Sequence, residues 1–270
     1  MKKKGKHSTR NQENKKTKYI LPIIFIVIII IFTYNTYYKD ENNNNILNDI
    51  NIDTTQITKS KTERMLKLEK LKSENSDIIG WLEIPNTKIN FPVLQGTDNE
   101  YYMKHTYKKE YSKDGSIFLD KDYNWNLPSC NLLIYGHNNK NGNMFQDLLQ
   151  YKEENYYKQH PTIRFTTINE DCEYEIISVF LSRVYYKTEK NVFRYYYFIN
   201  AESEEDYNNY IEKSKEASLY DTGKNATYGE QLLTLSTCEY SQEDGRFVIV
   251  AKKQNVKQNN ILKWYYILTE

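Results

Sequence analysis

Thr234–Lys252, TLSTCEYSQEDGRFVIVAK, decides how this chain is read. An alternating apolar run ends at Cys238, the mostly polar segment Glu239–Gly245 turns the chain, and Arg246 opens a second strand-like run. Paired as a hairpin, the two runs bring the thiol and the guanidinium to the same end of a sheet. A fixed cation beside a thiol favours the thiolate, which is the nucleophilic form. The competing reading is a small buried cysteine next to a surface arginine, the commoner fate of an isolated Cys.

Upstream, Asn131–Asn138 reads NLLIYGHN, a short apolar run that stops at Gly136 and delivers His137 at a strand end. Imidazole changes charge near neutral pH, so it gives a proton to a leaving amine and takes one from an entering amine. His137 shares the strand-end setting of Cys238, whereas His7, His105 and His160 read as packed or surface residues.

Around these two stretches the chain is a series of short strand-like runs: 78–84, 88–94, 115–119, 131–135, 162–167, 172–186, 231–238 and 246–252. Such a series between turn signals predicts a mostly β domain with a closed or partly closed sheet. Ser60 followed by Glu63 is a capping-box signature for a helix whose Met65, Leu68 and Leu71 share one face, with Leu66 beside them. Its apolar face is narrow, which favours packing on the domain over a membrane-surface role for Lys61, Arg64, Lys67 and Lys70. Two helical insertions are expected, one around 144–157 and one beginning at Ser203, where Glu204, Glu205 and Asp206 occupy the first turn.

The 270 residues are 39% hydrophobic with a formal net charge of +1, which suits one folded domain with extensions and offers no basic excess for nucleic acid. The three cysteines, Cys130, Cys172 and Cys238, have no CxxC spacing, so neither a zinc ribbon nor a dense disulfide framework is expected. Cys130 and Cys172 read as reduced structural residues, with a disulfide between them the alternative outside the cell.

Lysines and Arg10 fill residues 1–18 ahead of the apolar run Ile20–Phe32, a charge order that keeps the N-terminus in the cytoplasm. That run falls short of the roughly 20 residues a spanning helix needs, and extending it to 19–38 reaches that length with tyrosines near both ends. A cleaved signal peptide is the alternative, but no small-x-small site follows, which favours an uncleaved signal anchor and an extracellular domain. Residues 39–59 are polar and Asn-rich, a spacer; 60–253 form the domain, and 254–270 a C-terminal tail.

TLSTC, the arginine that follows in RFVIVAK, and YGHN together resemble the active site of sortases, the cysteine transpeptidases of Gram-positive cell surfaces. TLSTCEY and NSDIIGWLEIPNTKINFPVLQGTDNEYY (75–102) are most similar to class B, and the likeness runs from about residue 60 to 253. The resemblance implies a sortase-like eight-stranded β-barrel with an N-terminal helix, and a helix before the cysteine strand in the loop that walls the substrate groove. It implies that Cys238 forms a thioester with the Thr carbonyl of a C-terminal sorting motif, NPxTN-like or LPxTG-like, on a secreted protein. Arg246 would stabilise the oxyanion, and His137 would serve as acid and base toward a cell-wall or pilin amine. Asn99, Ser236, Thr237, Glu239 and Tyr196 fall at positions expected near the substrate, with no metal and no cofactor. By strand alternation Ser236 shares the face of Cys238 and Thr237 takes the other. Some class B enzymes place an acidic residue two positions after the cysteine; here that residue is Tyr240, and Glu243 or Asp244 would substitute only if the turn folds back. A cysteine hydrolase and a non-catalytic binding module on the same barrel are the other two functional classes.

Overall fold

The computed structural model describes residues 63–139 and 142–254, all within one compact unit. The basic segment, the apolar run, the spacer, Ser60 and the tail after Gln254 lie outside the described residues. Among the described residues, no helix is long and apolar enough to cross a membrane.

Eight strands close into a barrel: β1 Ile78–Glu83, β2 Asn90–Leu94, β3 Ile117–Leu119, β4 Asn131–Tyr135, β5 Thr162–Thr166, β6 Asp171–Arg183, β7 Leu232–Cys238 and β8 Gly245–Lys253. Their order around the barrel is β1-β2-β3-β4-β7-β8-β6-β5, with β5 returning to β1. All neighbours are antiparallel except β2 with β3 and β4 with β7. The sequence-based strand runs match these elements to within a few residues.

The strands that carry the candidate site are apolar along their length because both of their faces are covered. Leu233, Leu235, Phe247, Ile249 and Ala251 point into the barrel with Leu132 and Ile134. Leu232, Leu133, Val248 and Val250 pack outward under a helix, α3 (Glu204–Glu216), against its Tyr207, Tyr210 and Ile211. That helix starts as its sequence predicts: the Ser203 hydroxyl accepts from the Asp206 N–H at 3.1 Å, and acidic residues fill the first turn.

Helix α1, Glu63–Glu74, closes a third apolar cluster with Leu68 fully buried against Ile78, Leu94, Tyr102 and Phe118, while Leu66 stays 55% exposed. Two of its cations engage the barrel: Arg64 pairs with Glu83, and the Lys67 ammonium lies 4.3 Å from the centre of a Trp81 ring. The predicted insertion after His137 is a 3₁₀ turn, Gln146–Lys152, followed by a short helix, α2 (Glu154–Gln159). Two further 3₁₀ turns, Tyr101–Met103 and Tyr195–Tyr197, were not visible in the periodicity, since a single turn is too short to show one.

Candidate active site

Strand register assembles the site. In the β7–β8 ladder Cys238 is the direct partner of Arg246, so the thiol and the guanidinium start from facing backbone positions at one barrel end. In the parallel β4–β7 pair Tyr135 partners Ser236, which carries His137, two residues on, to the level of Cys238. The chain leaves β4 through Gly136, where only a hydrogen fits: a Cβ there would stand 2.4 Å from the Ile117 Cδ1 and 2.7 Å from the Phe145 ring. His137, Cys238 and Arg246 line one cavity of about 250 Å³, together with Asn99, Met103, Tyr195, Tyr196, Ser236 and Thr237. His137 and Cys238 are half-buried, open enough for a peptide to reach.

The Arg246 guanidinium and the His137 imidazole are each held by backbone carbonyls. The Arg246 Nη1 donates to the carbonyls of Asp244 (3.1 Å) and Gly245 (2.9 Å), so its own turn fixes the guanidinium. The His137 Nε2 lies 2.7 Å from the Met103 carbonyl oxygen. The Asn138 amide donates to the Cys238 carbonyl at 3.0 Å, and the Thr237 hydroxyl donates to the Gly136 carbonyl at 2.7 Å, so two side-chain bonds lock the ends of β4 and β7 together.

The polar groups of the wall are satisfied from behind. Ser236 is 2% exposed and its hydroxyl meets the Tyr195 hydroxyl at 2.8 Å. Burial pushes the Tyr195 phenol far above its ordinary range, although the bond with Ser236 and the Arg246 charge pull the other way, so it stays neutral. Asn99 donates to the Asp120 carboxylate (2.9 Å) and accepts from the Lys121 N–H (2.8 Å), while the Tyr135 hydroxyl donates to the same Asp120 oxygen (2.9 Å). Burial and then the Asp120 charge also drive the Tyr135 phenol upward.

The sortase domain family matches residues 82–254. Sortase B of Listeria monocytogenes is 36% identical over 203 residues, covering 74% of this chain and 77% of that protein. The chain belongs to the class B sortases. The barrel agrees: a crystal structure of Clostridium perfringens sortase B superposes with a TM-score of 0.63 at 32% identity, covering 69% of this chain and 99% of that one. A Staphylococcus aureus sortase B–substrate complex gives a TM-score of 0.64 at 27% identity, covering 82% of this chain and 99% of that one. The chain is accordingly a sortase transpeptidase.

Seen as a sortase, several site residues take places their sequence did not specify. Glu239 lines no part of the cavity. It is 5% exposed beneath the β7–β8 turn, paired with Lys152 at 2.7 Å and bonded by the N–H and hydroxyl of Ser241. Ser236 is half of a buried pair with Tyr195. Thr237 uses its hydroxyl on Gly136. The half-buried Tyr196 is in the wall and accepts from the Tyr185 N–H at 3.1 Å. Helix α3 supplies none of the cavity lining; the segment ahead of it does, through Tyr195 and Tyr196, with Phe198 stacked 4.0 Å from Tyr210 behind them. Glu243 and Asp244 are exposed on the turn, and the Tyr240 hydroxyl donates to the Asn138 carbonyl at 3.2 Å. The roles of Asp120 and Asn138 escaped the sequence reading because each acts through partners from other stretches of the chain.

Proposed function

We propose that Cys238 is the nucleophile, His137 the acid and base, and Arg246 the oxyanion stabiliser of this sortase. The observation that carries the reading is the register of β4, β7 and β8, which brings three side chains from separate stretches into one cavity. Cys238 as thiolate attacks the Thr carbonyl carbon of a sorting motif, and charge builds on the carbonyl oxygen. A guanidinium already fixed by its own turn meets that charge with little reorganisation. His137 protonates the departing amine, leaving a thioester, and then accepts a proton from the amine that resolves it. Of the two amide hydrogens on the Asn99 Nδ2, one serves Asp120 and the second is available to a substrate carbonyl.

The substrates are secreted proteins ending in an NPxTN-like or LPxTG-like motif, and the acceptor is an amine of a cell-wall precursor or of a pilin. The basic residues 1–18 and the apolar stretch 19–38 anchor the chain by a single pass with its N-terminus inside, placing the catalytic domain outside the cell. Incubation with motif peptides and an amine tests the chemistry: ligated product from the wild type and none from Cys238→Ala is the expected result. Hydrolysis that added amine does not divert would make the enzyme a peptidase, and product from Cys238→Ala would remove the thiol from the mechanism.

A further inference from the structure

Met103 closes the 3₁₀ turn Tyr101–Met103, and its carbonyl oxygen lies 2.7 Å from the His137 Nε2. A carbonyl only accepts, so this contact is a hydrogen bond only when Nε2 carries the proton. We propose that the Met103 carbonyl holds His137 with Nε2 protonated, leaving Nδ1 to exchange protons with the two amines of the reaction, and that Gly115 is the positioning residue that lets this carbonyl sit where it does. The inference rests on the reading of His137 as the acid and base.

The turn is fixed on both sides. Tyr102 is buried, with its hydroxyl donating to Asp77 (2.6 Å) and accepting from Asn75 (3.2 Å), and its carbonyl accepts from the Ser116 N–H at 2.9 Å. Tyr101 stacks on the His105 ring at 4.0 Å, and the His105 Nδ1 donates to the Tyr101 carbonyl at 2.7 Å. Gly115 packs directly under this backbone in the left-handed region, φ 61°. A Cβ there would stand 2.6 Å from the Met103 oxygen and 2.7 Å from the Tyr102 oxygen, closer than atoms tolerate. Any other residue at 115 therefore displaces the peptide unit on which the imidazole leans, without entering the cavity itself.

The proton path follows. Imidazolium Nδ1–H passes its proton to the leaving amine as the scissile C–N bond breaks and the acyl carbon stays bonded to sulfur. Neutral Nδ1 then takes a proton from the entering amine as the new C–N bond forms and the C–S bond breaks, returning sulfur as thiolate. Nε2 keeps its hydrogen throughout.

Long-range proton–nitrogen correlation of the His137 ring, recorded at alkaline pH in the Cys238→Ala protein, reads the tautomer without any turnover. The Nε2–H pattern is expected; the Nδ1–H pattern would overturn the assignment, whatever the other variants do. Gly115→Ala should give mixed tautomers and a kcat about five- to tenfold lower at nearly unchanged KM, the size of one hydrogen bond. Gly223→Ala is the control, because Gly223 has the same left-handed backbone (φ 68°) with nothing within 4 Å of a Cβ; it should change neither readout. A Gly115→Ala protein that folds and keeps the pure Nε2–H pattern would remove the positioning role. Full activity in His137→Ala, by contrast, would sink the acid–base reading and leave the tautomer assignment standing.

Discussion

The side-chain amide of Asn138 donates to the carbonyl oxygen of Cys238, so the residue after the imidazole is tied to the peptide of the nucleophile. Asn138 is 7% exposed, and removing it leaves that carbonyl without this donor near a half-buried thiol. Asn138→Ala should lower kcat/KM by about three- to tenfold and cost about 1 kcal/mol of stability. Steady-state transfer kinetics and thermal melts check both.

Arg246 sits opposite Cys238 with its guanidinium bonded to two carbonyls of its own turn. An ammonium has no planar fork to hold those carbonyls while facing an oxyanion. Arg246→Lys should reduce kcat by about 10²–10³-fold, the usual effect of losing an oxyanion donor, with little change in melting temperature. Rates comparable to wild type would exclude the guanidinium from the transition state.

Tyr195 and Ser236 share one buried hydrogen bond. Tyr195→Phe strands the Ser236 hydroxyl and Ser236→Ala strands the phenol, each costing about 1–2 kcal/mol. The double variant should cost clearly less than the sum, because no buried hydroxyl is then left alone. Urea unfolding of the four proteins measures this coupling, and strict additivity would mean the two groups do not interact.

Burial alone would raise the Glu239 carboxyl, but the Lys152 ammonium and the Ser241 donors outweigh it and hold the group below the ordinary carboxylate range. A depressed value in the folded state means the pair stabilises the fold above the unfolded value, about pH 4.3, and that the gain is lost as pH falls through the folded value. Glu239→Gln should therefore be less stable than wild type at pH 7, by about 1–2 kcal/mol given that Lys152 is partly exposed. The gap should close as the pH falls from the unfolded value through the lower folded one. A stability difference independent of pH would show that the charge is not what matters.

Burial, reinforced by Glu170, pushes the Cys172 thiol up to about 11, and burial also raises Cys130, whose sulfur accepts from the Ala201 N–H at 3.2 Å. Neither is in a disulfide. A thiol-directed reagent at neutral pH should thus modify the folded chain once, at Cys238, and three times in denaturant. Mass spectrometry of the labelled peptides decides it.

The barrel was legible because alternation, turn residues and length mark strands locally, and β4 could be read to the residue from NLLIY alone. The three catalytic candidates were legible for a different reason: each sits at the end of a strand, and strand ends can be counted. What escaped were contacts fixed by packing. The Glu239 position next to Cys238 suggested the groove, yet a lysine from the turn after β4 draws its carboxylate beneath the chain reversal. The tyrosines at 195–197 were visible as a cluster, but which of them turns inward to Ser236 depends on where the β6–β7 connection lands on the sheet.

Asn138 and Cys238 are separated by 100 positions in the chain, and the parallel strands that bring them side by side have no short turn to nucleate their pairing. Transfer chemistry is consequently a property of the tertiary structure, present only once β4 and β7 have paired. A molecule in which those two strands have not yet paired carries the same sulfur and the same imidazole as strangers, without the geometry that joins them in one reaction.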